Sequence, residues 1–344
     1  MRRGRRWWTI LVVAPLVLLA ADTLYWWFAA RDLARGFAAW EAYAQGTGWS
    51  ARHAAPVRGG WPFSATLELS GISLARATSN AQEQMSWSAN RLLLRVDLAL
   101  PTQLAVSVEG QQRLQLPGAE VPFTAERFRL ELPLPAGVWP ESVALAAENL
   151  HATIPNGGAP AVRSLHARAD TVPGAQPGES ALSLALEAED LQLPGGMSRP
   201  LGPRLAKLEA EGLLNGPVPT GHTPAEQATA WRDGGGSLEI RRLAVNWGPL
   251  DLTGTATLAL DDQLQPMGAG SARLVGYAET MDGLAAHGVI SRSAATATKA
   301  VLSLLAHAPD DGGPPDVEVP LTLQYRTLSM RQVPLLRLPE LDWP

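Results

Sequence analysis

The chain has 344 residues, 46% of them hydrophobic and 18% charged, and its 28 basic and 33 acidic side chains give a net charge of −5. A chain this long and apolar is expected to fold around more than one small core, and it lacks the high-charge, low-hydrophobicity signature of disorder. The acidic balance argues against nucleic-acid binding, which needs a basic face, and the absence of cysteine excludes disulfides, thiolate metal sites and cysteine nucleophiles.

The first element is the most strongly marked. Arg2, Arg3, Arg5 and Arg6 precede an apolar run from Trp7 to Ala30 whose one strongly polar group is Asp22. At about 1.5 Å per residue this run is long enough to cross a hydrocarbon core of about 30 Å. Trp7 and Trp8 at one end and Trp26 and Trp27 at the other read as interfacial belts. The arginines assign residues 1–6 to a cytoplasmic basic tail and residues 7–30 to a transmembrane anchor. The expected location is the inner membrane, with the bulk of the chain periplasmic. The alternative is a cleaved signal peptide, but a small-x-small cleavage pattern is poorly formed before Asp22. Leu33, Phe37, Trp40 and Ala44 continue the helical spacing, so residues 31–48 read as a stalk that stops at Gly46 to Gly48.

After Gly48 the period falls to two. Alternating runs at Phe63–Gly71, Leu92–Leu100, Leu104–Glu109, Phe128–Leu132, Leu182–Glu187, Leu238–Val245 and Leu250–Leu260 predict half-buried strands with short antiparallel connections. Ala125-Glu-Arg-Phe, Ala147-Glu-Asn-Leu and Ala188-Glu-Asp-Leu form a weak internal echo, which suggests a reused hairpin. The Gly-, Pro- and Thr-rich stretch 215–236 reads as a loop between a first β lobe, 49–214, and a second, 237–344. A short helix is predicted in that loop at Pro224 to Trp231. Thr280–Ala286 and Ser293–Ala306 read as a helix pair within 280–306. Two closing strands, around Val317–Tyr325 and Leu328–Leu338, carry Pro320 and Pro334 and are expected at an edge. The fold class is mainly β with some α. It comprises long curved antiparallel sheets, an N-terminal transmembrane and stalk helix, and a C-terminal helix pair packed on the sheet.

No residue set announces chemistry. His53, His151, His166, His222, His287 and His307 are scattered, with no metal-ligand spacing among them, and no nucleophile elbow is present. Gly216 to Thr223 has the glycine spacing of a phosphate loop. It lacks the lysine, and its prolines remove amide donors, so it reads as a linker. No catalytic, metal or cofactor residues are expected, and the chain is not expected to be an enzyme.

The order of features resembles a family. The pieces that carry the resemblance are Gly59-Gly60-Trp61-Pro62-Phe63-Ser64, Leu67-Glu-Leu-Ser-Gly-Ile, Trp247-Gly248-Pro249-Leu250, Leu252-Thr-Gly-Thr-Ala-Thr-Leu-Ala-Leu-Asp and the small-residue helix pair. Together they resemble the bacterial envelope proteins grouped as domain of unknown function 2125, across nearly the whole chain. Trp61 stands where the resemblance leads one to expect phenylalanine or tyrosine, and Arg326 where it leads one to expect glycine. The family supplies no known active site. More distantly the layout is similar to AsmA-like envelope proteins, whose long sheets are linked to phospholipid handling. Two functions fit this pattern. One is a non-enzymatic anchored protein that binds lipid or another hydrophobic envelope component on an apolar sheet face. The other is an envelope scaffold that binds other proteins through sheet edges or the first helix.

Overall fold

The computed structural model describes residues 4–76, 85–116, 119–134, 140–154, 158–172, 174–176, 178–194, 199–216, 223–307, 314–330 and 333–343, without the side chains of 4–12, 333 and 336. Arg2, Arg3, His222 and most of the phosphate-loop look-alike lie outside these residues, as do the side chains of Arg5, Arg6, Trp7 and Trp8. Residue contacts divide the chain into two compact units, 1–139 and 140–344.

The first unit opens with α1, Gly4–Gly46, a single helix of 43 residues that runs uninterrupted through Pro15. It ends where the glycines predict, with Gly48 at φ 84°. The strands that follow are β1 (Trp49–Arg52), β2 (Val57–Gly59), β3 (Ser64–Arg76), β4 (Ser86–Asp97), β5 (Gln103–Leu116), β6 (Ala119–Thr124) and β7 (Arg127–Pro133). All their pairings are antiparallel: β1 and β2 lie along the two halves of β3, β3 pairs with β4, β4 with β5, and β5 with both β6 and β7. The predicted alternation becomes a two-faced sheet. Leu67, Leu69, Ile72, Leu92, Leu94 and Val108 form its buried core, against which Leu33, Ala34 and Phe37 of α1 pack. On the polar side Arg91 bridges Glu68 and Glu109 from the two neighbouring strands. The stalk is therefore a docked helix: Ala30 and Ala44 are buried, while Trp40 turns outward.

The second unit is an antiparallel meander. In order come β8 (Ser142–Ala152), β9 (Ala161–Thr171), β10 (Ser180–Gln192), β11 (Arg204–Asn215), β12 (Ser237–Trp247), β13 (Leu250–Leu260), β14 (Pro266–Val275), β15 (Asp316–Gln324), β16 (Thr327–Met330) and β17 (Val333–Arg337). Each pairs with the next. Residues 215–236 thus connect two directly paired strands within one unit, and the contact boundary falls at 139/140. That loop carries α2, Pro224–Asp233, opened by a capping box between Thr223 and Glu226.

The helix pair is α3 (Tyr277–Ala286) and α4 (Arg292–Leu305). Leu302 and Tyr277 pack on Ala272, Val317, Val319 and Met330, closing one end of the sheet face. The C-terminal strands depart from expectation in two ways. They are three rather than two, because the second expected piece, Leu328–Leu338, is divided into β16 and β17; the break expected between Tyr325 and Leu328 is a tight hairpin in which Tyr325 and Arg326 adopt φ 51° and 63°. β15 is also not an edge, since it pairs on both sides.

Candidate functional site

The pairing register brings the apolar residues of separate strands into common rows. Leu145, Ala167, Leu186, Ala210, Leu243, Gly254, Ala272 and Val319 are successive partners from β8 to β15. Directly paired residues point to the same side of a sheet, so these eight share one face. A flanking row runs from Val143 through Ala169, Leu184, Gly212, Ile240, Ala256 and Gly270 to Leu321. Another runs from Ala147 through Leu165, Ala188, Leu208, Val245, Leu252 and Leu274 to Val317. None of these positions is charged or carries a polar side chain.

β-Bulges keep this face clean. In β12 the sequence Glu239-Ile240-Arg241-Arg242-Leu243 breaks alternation, and strict pairing would turn Arg242 onto the face of Ile240. The register instead shifts between Ile240 and Leu243, so both hydrophobes stay on one side. Arg242 then reaches Glu209 on the opposite face at 2.9 Å.

That opposite face is solvated and ion-paired. Hydrogen bonds from Arg168 and then Ser142 hold the Asp170 carboxyl below the ordinary value. Hydrogen bonds from Lys207, and secondarily Arg242, do the same for Glu209. The sheet is therefore polarised, with one face for water and one for apolar contact.

The apolar face is covered only in part. Beneath α3 and α4, Val317 and Val319 are fully buried. From β8 to β13 the row residues are mostly half-buried, and Leu184 and Leu186 are 44% and 36% exposed. With strands about 4.8 Å apart, β8 to β13 spans about 24 Å. One acyl chain fills half of a ~30 Å hydrocarbon core, so it is shorter than this strip.

The motif residues singled out in the sequence fall elsewhere and are structural joints. Trp247, Gly248 and Pro249 make the turn between β12 and β13. The Trp247 indole donates to the Gly202 carbonyl at 2.9 Å. Gly248 has φ 58°, and a Cβ there would stand 2.2 Å from the Leu201 carbonyl oxygen, so only glycine fits. In the first unit Gly60, at φ 91°, starts the turn into β3, and the Trp61–Pro62 peptide is cis. The Trp61 indole donates to Thr23 Oγ1 at 3.2 Å, and the Trp26 indole donates to the Gly59 carbonyl at 3.2 Å. The Trp26–Trp27 pair is thereby split: Trp26 faces the sheet, while Trp27 faces outward with Arg31 over its ring at 5.2 Å. Asp22 has one carboxylate oxygen buried with no hydrogen-bond partner among the described residues.

Among the described residues the histidines are not gathered into a metal-binding group. His53 lies 3.7 Å from Glu41 and edge-on to Phe37, while His151 and His287 bond to carbonyls of their own strand and helix. Among the described residues no group of three His, Asp or Glu side chains could hold a metal ion. Phe37 is half-buried and packs against the first unit's core.

The family described as "Uncharacterized protein conserved in bacteria (DUF2125)" matches residues 26–339, and the chain belongs to it. No curated protein and no solved structure matches the chain.

Proposed function

We propose that this DUF2125 member is a non-enzymatic protein, anchored in the inner membrane by α1 with its two β units in the periplasm. Its role is to hold the acyl part of a lipid, or an equivalent hydrophobic envelope component, on the apolar face of its second unit. The observation that carries the reading is the register. Three rows without a polar side chain run across eight strands, and the helices α3 and α4 bury them at the β14–β16 end while Leu184 and Leu186 of β10 stay 44% and 36% exposed. Leaving such a face in water costs about 25 cal/mol per Å² of apolar surface, which an acyl chain would recover. Exposed apolar strips of this extent mark binding surfaces. The anchor is supported by the length and apolarity of α1, which suffices to cross a membrane, and by the arginines before it.

The test is purification of the full chain in mild detergent, followed by organic extraction and mass spectrometry. A lipid retained in proportion to protein is the expected result. A lipid-free chain that also takes up no fluorescent acyl probe would reject the reading. Protease cleavage of both β units in spheroplasts, with α1 protected, is the expected topology.

A further inference from the structure

The end of the first unit that meets α1 near Thr23 exposes large apolar side chains beyond what its core requires. Two connections lie there. One is Gly60 to Ser64, between β2 and β3. The other is Leu98 to Thr102, between β4 and β5, tied to the first by the Leu98 amide bonding to the Phe63 carbonyl at 3.0 Å. Neither segment contains a charged residue. Phe63 is 80% exposed, Leu100 57% and Trp61 48%, a cluster of large side chains turned away from the protein at one rim.

The depth of this rim is fixed by α1. The Trp61–Thr23 and Trp26–Gly59 hydrogen bonds set the rim level with residues 23–26 of the helix. From Trp7, where the anchor begins, to Trp26 the helix rises about 28 Å, close to one hydrocarbon thickness. Residues 23–26 therefore stand where the helix leaves the bilayer. Arg31, over the outward Trp27 ring, lies about 12 Å further along the axis from Thr23. That order, apolar and aromatic first and then arginine, matches the passage from acyl chains to headgroup phosphates.

We infer that Trp61, Phe63 and Leu100 form a second membrane contact, seated in the leaflet surface beside α1, so that the first unit rests on lipid. This rests on α1 being the membrane anchor. Its occupant is a lipid surface, because the rim is continuous with the apolar side of a membrane-crossing helix and its two connecting segments carry no charge, while the neighbouring Asp97 is paired with Arg95 at 2.7 Å.

The chain has no cysteine, so single probes can be placed at will. The full chain would be reconstituted in vesicles of phosphatidylethanolamine and phosphatidylglycerol. An environment-sensitive fluorophore would be placed on Leu16→Cys, Phe63→Cys, Leu100→Cys or Tyr43→Cys variants, with a quencher carried on the lipid. Expected are blue-shifted emission and loss of signal at positions 16, 63 and 100, and neither at 43. Quenching at 16 without quenching at 63 and 100 overturns the second contact and leaves the anchor standing. No quenching at 16 overturns the anchor, and this inference with it.

Discussion

Replacing Leu184 and Leu186 together with alanine should weaken acyl binding while leaving the fold in place. The two side chains are 44% and 36% exposed, and they sit in adjacent rows of β10, away from the strands beneath α3 and α4. Full burial of a leucine is worth about 1.5–3 kcal/mol, so the exposed fractions leave about 1–2 kcal/mol that a ligand could still gain from the pair. Losing it raises Kd by roughly fivefold to thirtyfold. The assay is titration of the detergent-purified chain with a fluorescent fatty-acyl probe. A Glu187→Gln variant, changed on the opposite face of the same strand, serves as the control. Thermal unfolding monitors the fold in all three proteins. An unchanged Kd in the double variant, or an equal loss in the Glu187 variant, would refute the assignment of the ligand to this face.

Three further outcomes are expected. Leu302→Ala removes the buried α4 side chain that packs on Val317 and Val319, and should destabilise the second unit by about 2–5 kcal/mol in denaturant unfolding. Tyr325→Asn should stabilise by about 0.5–1 kcal/mol, read as a raised Tm, because an exposed tyrosine now holds a left-handed turn position that asparagine adopts more readily. Asp170 and Glu209 are held below their ordinary values of 3.8 and 4.5, so each contributes stability that is present above those values and lost as pH falls through its folded pKa. Acid unfolding should accordingly begin below about pH 4.5, and an Asp170→Asn, Glu209→Gln double variant should show a shallower fall there than the parent chain.

Much of the fold is legible because alternation is a local signal. The run from Leu250 to Leu260 is β13 to the residue, and the helix pair falls within a few positions of its periodicity. β14 escaped because Pro266-Met-Gly-Ala-Gly-Ser reads as a turn. Its small residues are acceptable in a strand because its neighbours β13 and β15 supply the side-chain bulk. The echo at Ala147 and Ala188 has a structural counterpart: Asn149 and Asp190, each third in its tetrapeptide, take positive φ at 48° and 55° in β8 and β10. The Ala125 copy has none, since it falls at the start of β7.

The turn before β16 falls in the gap between the two expected closing strands, but its tightness was hidden because Tyr325-Arg326 carries no glycine. The departure noted at Arg326 was nonetheless its trace, as φ 63° is where glycine is at ease. The docking of α1 was half legible. Phe37 and Ala44 face the sheet as their spacing suggests, but Trp40 does not, and which strands receive the helix is a tertiary fact. That the sheet has an apolar face was legible from the alternation, but its continuity from strand to strand was not. Each strand shows its own alternation, yet the rows exist only because bulges, such as the one at Arg241 and Arg242, restore the phase between neighbours.

The central claim is that the apolar face of the second unit holds lipid in the cell, and site-specific photocrosslinking tests it most directly. A photoreactive phenylalanine analogue at position 186, irradiated in living cells, should give an adduct whose added mass is a lipid. The same analogue at position 187, one residue on and facing the solvated side, should give none. Adducts with protein alone at 186, or equal lipid labelling at the two positions, would contradict it.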